Sequence, residues 1–339
     1  MRLDPPVTAP SPSVDRDAAD GREPATYVAL DLGTNNCRLL MAHRVAEGFR
    51  VIDAFSRIVR LGEGLAATGM LSEAAMARTI EALKVCARKV AQRPVAGARY
   101  VATEACRRAG NCGVFVERIK AATGIAMEII SSDEEARLVV AGCAPLLKRE
   151  PPHALVFDIG GGSTELVWLT LTDGAPVIED FISIPQGVVT FADRYGGKDV
   201  SRETYAAMVA EMRGALAPFE ARLGIAARIA QGAVQLLGSS GTVTMLTALH
   251  LELPRYIRAR VDGAILDFPT IAQATARLIA MPYHARAAHP CIGRERADLV
   301  VAGCAILEAI CALWPVGRLA VADRGIREGI LMSLVNGRG

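Results

Sequence analysis

The chain has 339 residues, 51% hydrophobic and 22% charged, with a net charge of +2. That length is more than one compact core needs and favours two domains, while the near-neutral balance excludes nucleic-acid or membrane binding driven by overall charge. A polyanionic ligand must therefore be held by a local constellation, and eight cysteines without CxxC or zinc spacing imply reduced core thiols in a cytoplasmic protein.

Residues 1–24 hold five prolines and lack the apolar core of a signal peptide, so a disordered N-terminal tail is expected there. From Tyr27, "YVALDL" reads as a strand, "GTNN" as a turn and "CRLLMAHRV" as an antiparallel strand. "LSEAAMARTIEALKVCARKVA" has helical spacing with Ser72 as N-cap. "ARYVAT" (98–103) reads as a strand and "CGVFVERIKAATG" as a helix. "MEIISS" reads as a strand leading into the helix "EEARLVVAGCAPLL". After Pro151-Pro152 a second unit opens with "LVFDIGGGSTELVWL". The strand "FISIPQG", a helix over 201–223, the strand "AVQLLG" and the helix "GTVTMLTALHL" follow. The remainder reads as helical apart from "GRLAVAD". The apolar run 299–316, interrupted by Glu308 and ended by Pro315, reads as a buried amphipathic helix and not as a membrane span. Strands alternating with helices indicate α/β domains.

"DLGTNNCRLLMA" from Asp31 and "DIGGGSTELVWL" from Asp158 share strand, D-x-G, small polar turn and strand, offset by 127 residues. Each copy opens one unit, which implies two homologous domains facing each other. Gly160, Gly161, Gly162, Ser163 and Thr164 supply backbone N–H groups for an anion nest. Asp158 and Glu165 beside them are hard oxygen ligands suited to Mg²⁺ shared with phosphate. The plainer reading is a hairpin whose glycines take positive φ. "LLGSSGTVTML" places Gly238, Ser239, Ser240 and Gly241 as a turn before a helix N-terminus, which fits anion binding and an ordinary capped connection about equally. "ISSDEEARLVV" gathers carboxylates at a strand-to-helix junction. Its Ser132-x-x-Glu135 spacing is that of a capping box, the better reading on spacing alone, while a general base is the alternative. Arg107 and Arg108 in "ATEACRRAGN" are either phosphate clamps or a solvated helix face. There is no GxxxxGK[ST], no GxGxxG, no GxSxG and no metal or triad spacing among the five histidines.

Taken together, "ALDLGTNNCRLLMA", "RLGEGLAATGMLSEAAMART", "ATEACRRAGN", "EIISSDEEARLVVAG", "VFDIGGGSTELV", "LLGSSGTVTML" and "DRGIREGIL" resemble the exopolyphosphatase and guanosine-pentaphosphate phosphatase (Ppx/GppA) family. The resemblance implies an α/β protein of two ribonuclease-H-like domains, in the actin, Hsp70 and sugar-kinase superfold, with the active site in the interdomain cleft. The expected domains are 25–140, joined by the C-terminal helix 324–339, and 141–323. The implied reaction is removal of the terminal phosphate of inorganic polyphosphate, or of the 5′-terminal phosphate of guanosine pentaphosphate. A sugar or acetate kinase and a non-catalytic polyphosphate binder are the other classes of the superfold. By this analogy Glu135 is the base that activates water, and Asp158 and Glu165 hold Mg²⁺ (or Mn²⁺). Asp31, Gly33, Thr34, Asn35, Arg107 and the 160–164 loop line the phosphate cradle, with Gly238 to Gly241 holding further phosphates. A homodimer is implied by the same analogy. The chain departs from the family pattern at Asn36, Glu104 and Arg324, and it ends without the C-terminal helical domains of the long members.

Overall fold

The computed structural model describes residues 25–172 and 176–337; the expected tail, 1–24, lies outside them. Among the described residues eleven strands form two sheets. They are β1 (Thr26–Leu32), β2 (Asn36–Arg44), β3 (Phe49–Ile58), β4 (Val95–Ala102), β5 (Glu128–Ile129) and β6 (His153–Ile159), followed by β7 (Thr164–Thr170), β8 (Val177–Ile184), β9 (Val234–Ser240), β10 (Ile265–Asp267) and β11 (Arg318–Ala322). The first sheet has the order β3-β2-β1-β4-β5 and the second β10-β11-β9-β6-β7-β8. In the first, β1, β2 and β3 are antiparallel neighbours, while β4 and β5 run parallel to β1. In the second, β6, β7 and β8 repeat the meander, β9 and β11 repeat the parallel pair, and β10 adds an antiparallel edge. The ribonuclease-H-like arrangement is thus present twice, as the internal repeat implied.

The repeat holds down to single hydrogen bonds. Gly33 N donates to Asn36 O at 2.9 Å, and Gly160 N donates to Ser163 O at 2.9 Å. Alternation along the paired strands sorts side chains into three cores. Val28, Leu30 and Leu32 face the helices Glu73–Ala91 and Cys112–Thr123. Leu155, Phe157 and Ile159 face the core of the helices Arg202–Leu223, Gly241–His250 and Val300–Leu313. Ala29, Val101, Ala154 and Val156 look into a middle layer with the helices Ser132–Cys143 and Ile326–Val335, which therefore lie between the sheets.

Those two middle helices touch through glycine. A Cβ at Gly142 would stand 2.1 Å from Gly325 O, and one at Gly329 would stand 2.1 Å from Leu138 O. Gly142→Ala therefore pushes the helices apart, and we expect a loss of about 1–3 kcal/mol in a urea unfolding titration, the usual cost of overpacking.

Several expected elements differ in detail. β3 and the short β10 were not foreseen: β3 has no buried residue, which blunts the apolar signal of an edge strand. The strand expected over 127–132 shrinks to β5, because Ser131 already acts as the N-cap of the next helix. The turn expected at Gly238–Gly241 is absent: β9 runs through Ser240 and the helix starts at Gly241, with Ser240 as N-cap. The run 299–316 is the buried helix Val300–Leu313, and among the described residues no helix is long and apolar enough to cross a membrane.

Candidate active site

The two repeat hairpins bring their turns together. A Cβ at Gly161 would lie 3.0 Å from Thr34 Cβ, and one at Gly162 would lie 2.5 Å from Thr34 Oγ1. Neither glycine has positive φ. The plain hairpin reading, in which these glycines serve the turn conformation, is therefore corrected: they are required because the first loop leaves no room for a side chain. Thr34, Asn35, Ser163 and Thr164 are buried at this junction, whereas Asp31, Gly33, Gly160 and Gly161 keep partial exposure. Thr164 Oγ1 donates to Gln186 O at 2.7 Å, which ties the second loop to the chain that follows β8.

Asp31 and Asp158 end equivalent strands, and Glu165 stands opposite Asp158 across the β6–β7 pair. Ser183 Oγ donates to Glu165 Oε1 at 2.9 Å. Ser239 is the register partner of Asp158 on the other side, so the Gly238–Gly241 segment borders the same acids. Its hydroxyls are already engaged: Ser239 Oγ donates to Arg324 O at 2.8 Å, and Ser240 Oγ accepts from Val243 N at 2.9 Å.

Glu135 occupies the first turn of its helix, 5% exposed. The capping box expected from Ser132 does not form. Ser131 is the N-cap and accepts from Glu134 N, which shifts the box position to Glu134 and releases Glu135 to face Arg107 and the hairpin acids. Glu134 turns to Arg99 instead. Arg107 Nη1 donates to Glu135 Oε2 at 2.7 Å and to Ile130 O at 3.0 Å. Its Nη2 and Nε donate to Glu104 Oε2 at 2.9 and 3.3 Å. Most of the Arg107 guanidinium is thus spent on two carboxylates and a carbonyl, and Glu104 finds its place as the second holder of that arginine. Arg108 is exposed and reaches Glu104 at 3.8 Å.

Four acids interact across this junction. Burial holds Glu135 well above the usual carboxylate range, Glu165 adds to the shift, and Arg107 opposes it. Asp158 is pushed up to about 7, first by burial, against Arg38 and with help from Glu135 and Asp31. Burial likewise raises Glu165, opposed by a bond from Ser163, and Asp31, opposed by Arg38 and Arg327. Asp31 Oδ1, Asn35 Oδ1 and Asn36 Oδ1 are buried without a hydrogen-bond partner. Raised carboxylates and orphaned acceptor oxygens are the donor chemistry of a hard divalent cation. Among the described residues no three His, Cys, Asp or Glu side chains form a metal-binding group alone.

A model of the Ppx/GppA phosphatase family matches residues 40–337. The chain belongs to the Ppx/GppA phosphatase family. It is similar to an exopolyphosphatase-like protein of known structure, with 28% identity, a TM-score of 0.83 and coverage of 91% of this chain and 97% of that one. An exopolyphosphatase from Cytophaga hutchinsonii shows 25% identity and a TM-score of 0.83, covering 93% and 99% of the two chains. The Ppx/GppA family member of Aquifex aeolicus shows 27% identity and a TM-score of 0.76, again covering 93% and 99%.

In this Ppx/GppA chain the structure also brings forward three residues that sequence reasoning missed. Arg38, opposite Asp31 in the β1–β2 pair, takes the place that Glu165 holds opposite Asp158. Arg327 enters from the helix Ile326–Val335 and Arg296 from the segment before the helix Val300–Leu313. Arg38 acts electrostatically on Asp31, Asp158, Arg296 and Arg327. Among the described residues none of the three arginines forms an ion pair, and burial lowers Arg296 and Arg327. One signal lay in the repeat itself, since aligning the two hairpins sets Arg38 against Glu165.

The departures at Asn36 and Arg324 have structural counterparts. Asn36 begins β2 and pairs with Ile58. Arg324 forms a forked pair with Asp262, and its carbonyl receives Ser239.

Proposed function

We propose that the protein hydrolyses the terminal phosphoanhydride of inorganic polyphosphate, releasing orthophosphate, with Glu135 as the general base. The family match and the exopolyphosphatase neighbours support a phosphatase acting on polyphosphate or on GppA-type substrates. The observation that carries the reading is Glu135 itself: buried, fixed by Arg107 and raised to about 8, which makes its carboxylate a far stronger proton acceptor than an ordinary one. In the reaction, water oxygen attacks the terminal phosphorus, its proton passes to the Glu135 carboxylate, and the bridging P–O bond breaks toward the remaining chain. Arg107 keeps the carboxylate aimed. The loop amides of 33–35 and 160–164, together with Arg38, Arg296 and Arg327, neutralise the phosphate oxygens, which is where the barrier of such a loose displacement is lowered.

Asp158 and Glu165, with Asp31 beside them, fit Mg²⁺ or Mn²⁺ held jointly with phosphate oxygens. When bound, such a cation supplies charge neutralisation at the scissile phosphate. In this reading residues 25–140 with 324–339 form one domain and 141–323 the other, and substrate lies in the cleft between them. Eight free cysteines, seven of them buried, support a reducing, cytoplasmic setting. A homodimer is proposed by family analogy alone.

Phosphate release from polyphosphate and from guanosine pentaphosphate, measured at equal enzyme and magnesium, tests the substrate assignment. Faster release from guanosine pentaphosphate overturns it in favour of the 5′-phosphohydrolase. ATP-dependent phosphorylation of a small acceptor overturns the hydrolase class altogether.

A further inference from the structure

Arg60 follows β3 and sits against the back of the first phosphate loop. Val59 N and Arg60 N donate to Asn35 O at 2.9 and 3.1 Å, and Gly62 N donates to Thr34 O at 2.9 Å. The carbonyls of Thr34 and Asn35 are thus held by residues 59–62. Arg60 has φ of 48°, a left-handed conformation uncommon for a long side chain and kept only where the surroundings enforce it. From there its guanidinium leaves the first sheet's half of the molecule. Nη1 donates to Asp298 Oδ2 at 2.8 Å, and Nη2 donates to Asp298 Oδ1 at 2.7 Å and to Glu295 O at 3.0 Å. Glu295 and Asp298 flank Arg296. A second tie lies close by, with Gly64 N donating to Asp193 Oδ2 at 3.1 Å. A cavity of about 390 Å³ opens beside the pair, lined by Arg60, Asp193, Lys198 and Asp298 among others, so the fork spans a place where little else packs.

We propose that Arg60 is a positioning residue that fastens the first phosphate loop to the segment carrying Arg296 across the cleft, setting the distance between the two walls that grip the substrate. The fork reads geometry as well as charge, because two parallel bonds to one carboxylate plus a third to a backbone carbonyl fix the direction of approach. Static stability gains little from a pair that is 28% and 21% exposed. Its effect lies in the separation of the two segments it joins, which the fork and the neighbouring Gly64–Asp193 bond hold together. The inference rests on the functional reading only in taking Arg296 as a substrate-binding group.

The test uses Arg60→Asp, Asp298→Arg and the double swap, each read in two ways: KM and kcat on polyphosphate, and radius of gyration by small-angle scattering without substrate. Aspartate tolerates the left-handed backbone at position 60 better than most residues. Each single change should raise KM by about tenfold, as for loss of a charge-assisted pair, with kcat little altered and the radius of gyration increased. The swap should recover most of both. Unchanged KM and radius in the single variants overturns the proposal, as does a swap that recovers neither while melting as cooperatively as the wild type. Where a single variant does not fold, Arg60→Lys serves instead: it keeps the charge but not the fork, so a raised KM supports the latch and a wild-type KM overturns it. Should the chain prove inactive on both phosphate substrates, the functional reading fails, and the scattering comparison still decides the latch.

Discussion

Glu135→Gln lowers kcat for phosphate release by about 10²-fold or more while leaving the fold in place, the usual effect of removing a general base. Glutamine keeps the shape and keeps an acceptor oxygen for Arg107 Nη1, 2.7 Å away in the parent, but it cannot take a proton from water. Folding should not suffer. The wild-type carboxyl is buried and raised to about 8 by that burial and by Glu165, so its ionisation is a cost to the fold that a neutral amide avoids. The melting temperature of the variant should match or exceed that of the wild type. A corresponding pH signature follows for the parent enzyme. The base acts deprotonated, so kcat/KM rises with pH through the value of Glu135, and that limb should lie above the ordinary carboxylate range. A variant retaining wild-type turnover, or a parent profile already flat from pH 5 upward, removes Glu135 from the mechanism.

The same residue marks where local sequence stops being informative. Ser131 and Ser132 are adjacent, and either starts a helix equally well on propensity. Choosing Ser132 makes Glu135 a cap residue; choosing Ser131, as the fold does, puts Glu134 in that position, where its side chain takes Arg99, and turns Glu135 toward Arg107. A shift of one position is about 100° around a helix, enough to move a carboxylate from a capping position to a contact with Arg107. What decides the register is tertiary. Ile130 is buried in the middle layer, and its carbonyl receives Arg107, so the chain is pinned just before the helix begins.

The two hairpins were legible because their signal is local: strand, aspartate, small turn, strand, twice over. Their mutual contact was not. Nothing in "GGGST" states that the space above Gly161 and Gly162 is filled by Thr34, a residue more than 120 positions away. The arginines show the same limit more sharply. Arg38, Arg296 and Arg327 come from a strand, a connecting segment and a helix far apart in the chain, and each alone resembles an ordinary surface cation. Only the order β3-β2-β1-β4-β5 and its repeat in the second sheet bring Arg38 and Arg327 beside Asp31, with Arg296 near Arg38. The GSSG segment failed in the opposite way. Small residues suggested a loop, but Gly238 lacks a side chain because Phe157 occupies that space, with ring atoms 2.4 Å from where a Cβ would be. Close packing between β6 and β9 is the reason for that glycine.

Asp158→Asn should separate activity from stability, moving them in opposite directions. Turnover falls by about 10²-fold or more, on the scale seen when one preorganised electrostatic group is removed from an active site. The metal-free fold, however, gains. Asp158 is pushed up to about 7 from an ordinary aspartate's 3.8, by burial first, with Glu135 and Asp31 adding to the shift against Arg38. An acid raised in the folded state favours folding while protonated; that contribution is complete below its unfolded value and is lost as pH climbs through about 7. Asparagine never ionises and escapes the loss. In EDTA the wild-type melting temperature should therefore decline more steeply than that of the variant between pH 5 and 8, with the widest gap at pH 8. Magnesium should reverse the order. A ligand at about 100 times its Kd stabilises the protein that binds it by about 2.7 kcal/mol, and the wild type should show a magnesium-dependent rise that the variant lacks or shows only at much higher concentration. That rise should itself weaken toward acid pH, because the cation and the proton compete for the same carboxylate oxygens. Equal magnesium shifts in the two proteins would place the cation elsewhere, and a variant less stable than the wild type in EDTA at pH 8 would mean that the Asp158 charge is compensated within the fold by the arginines around it.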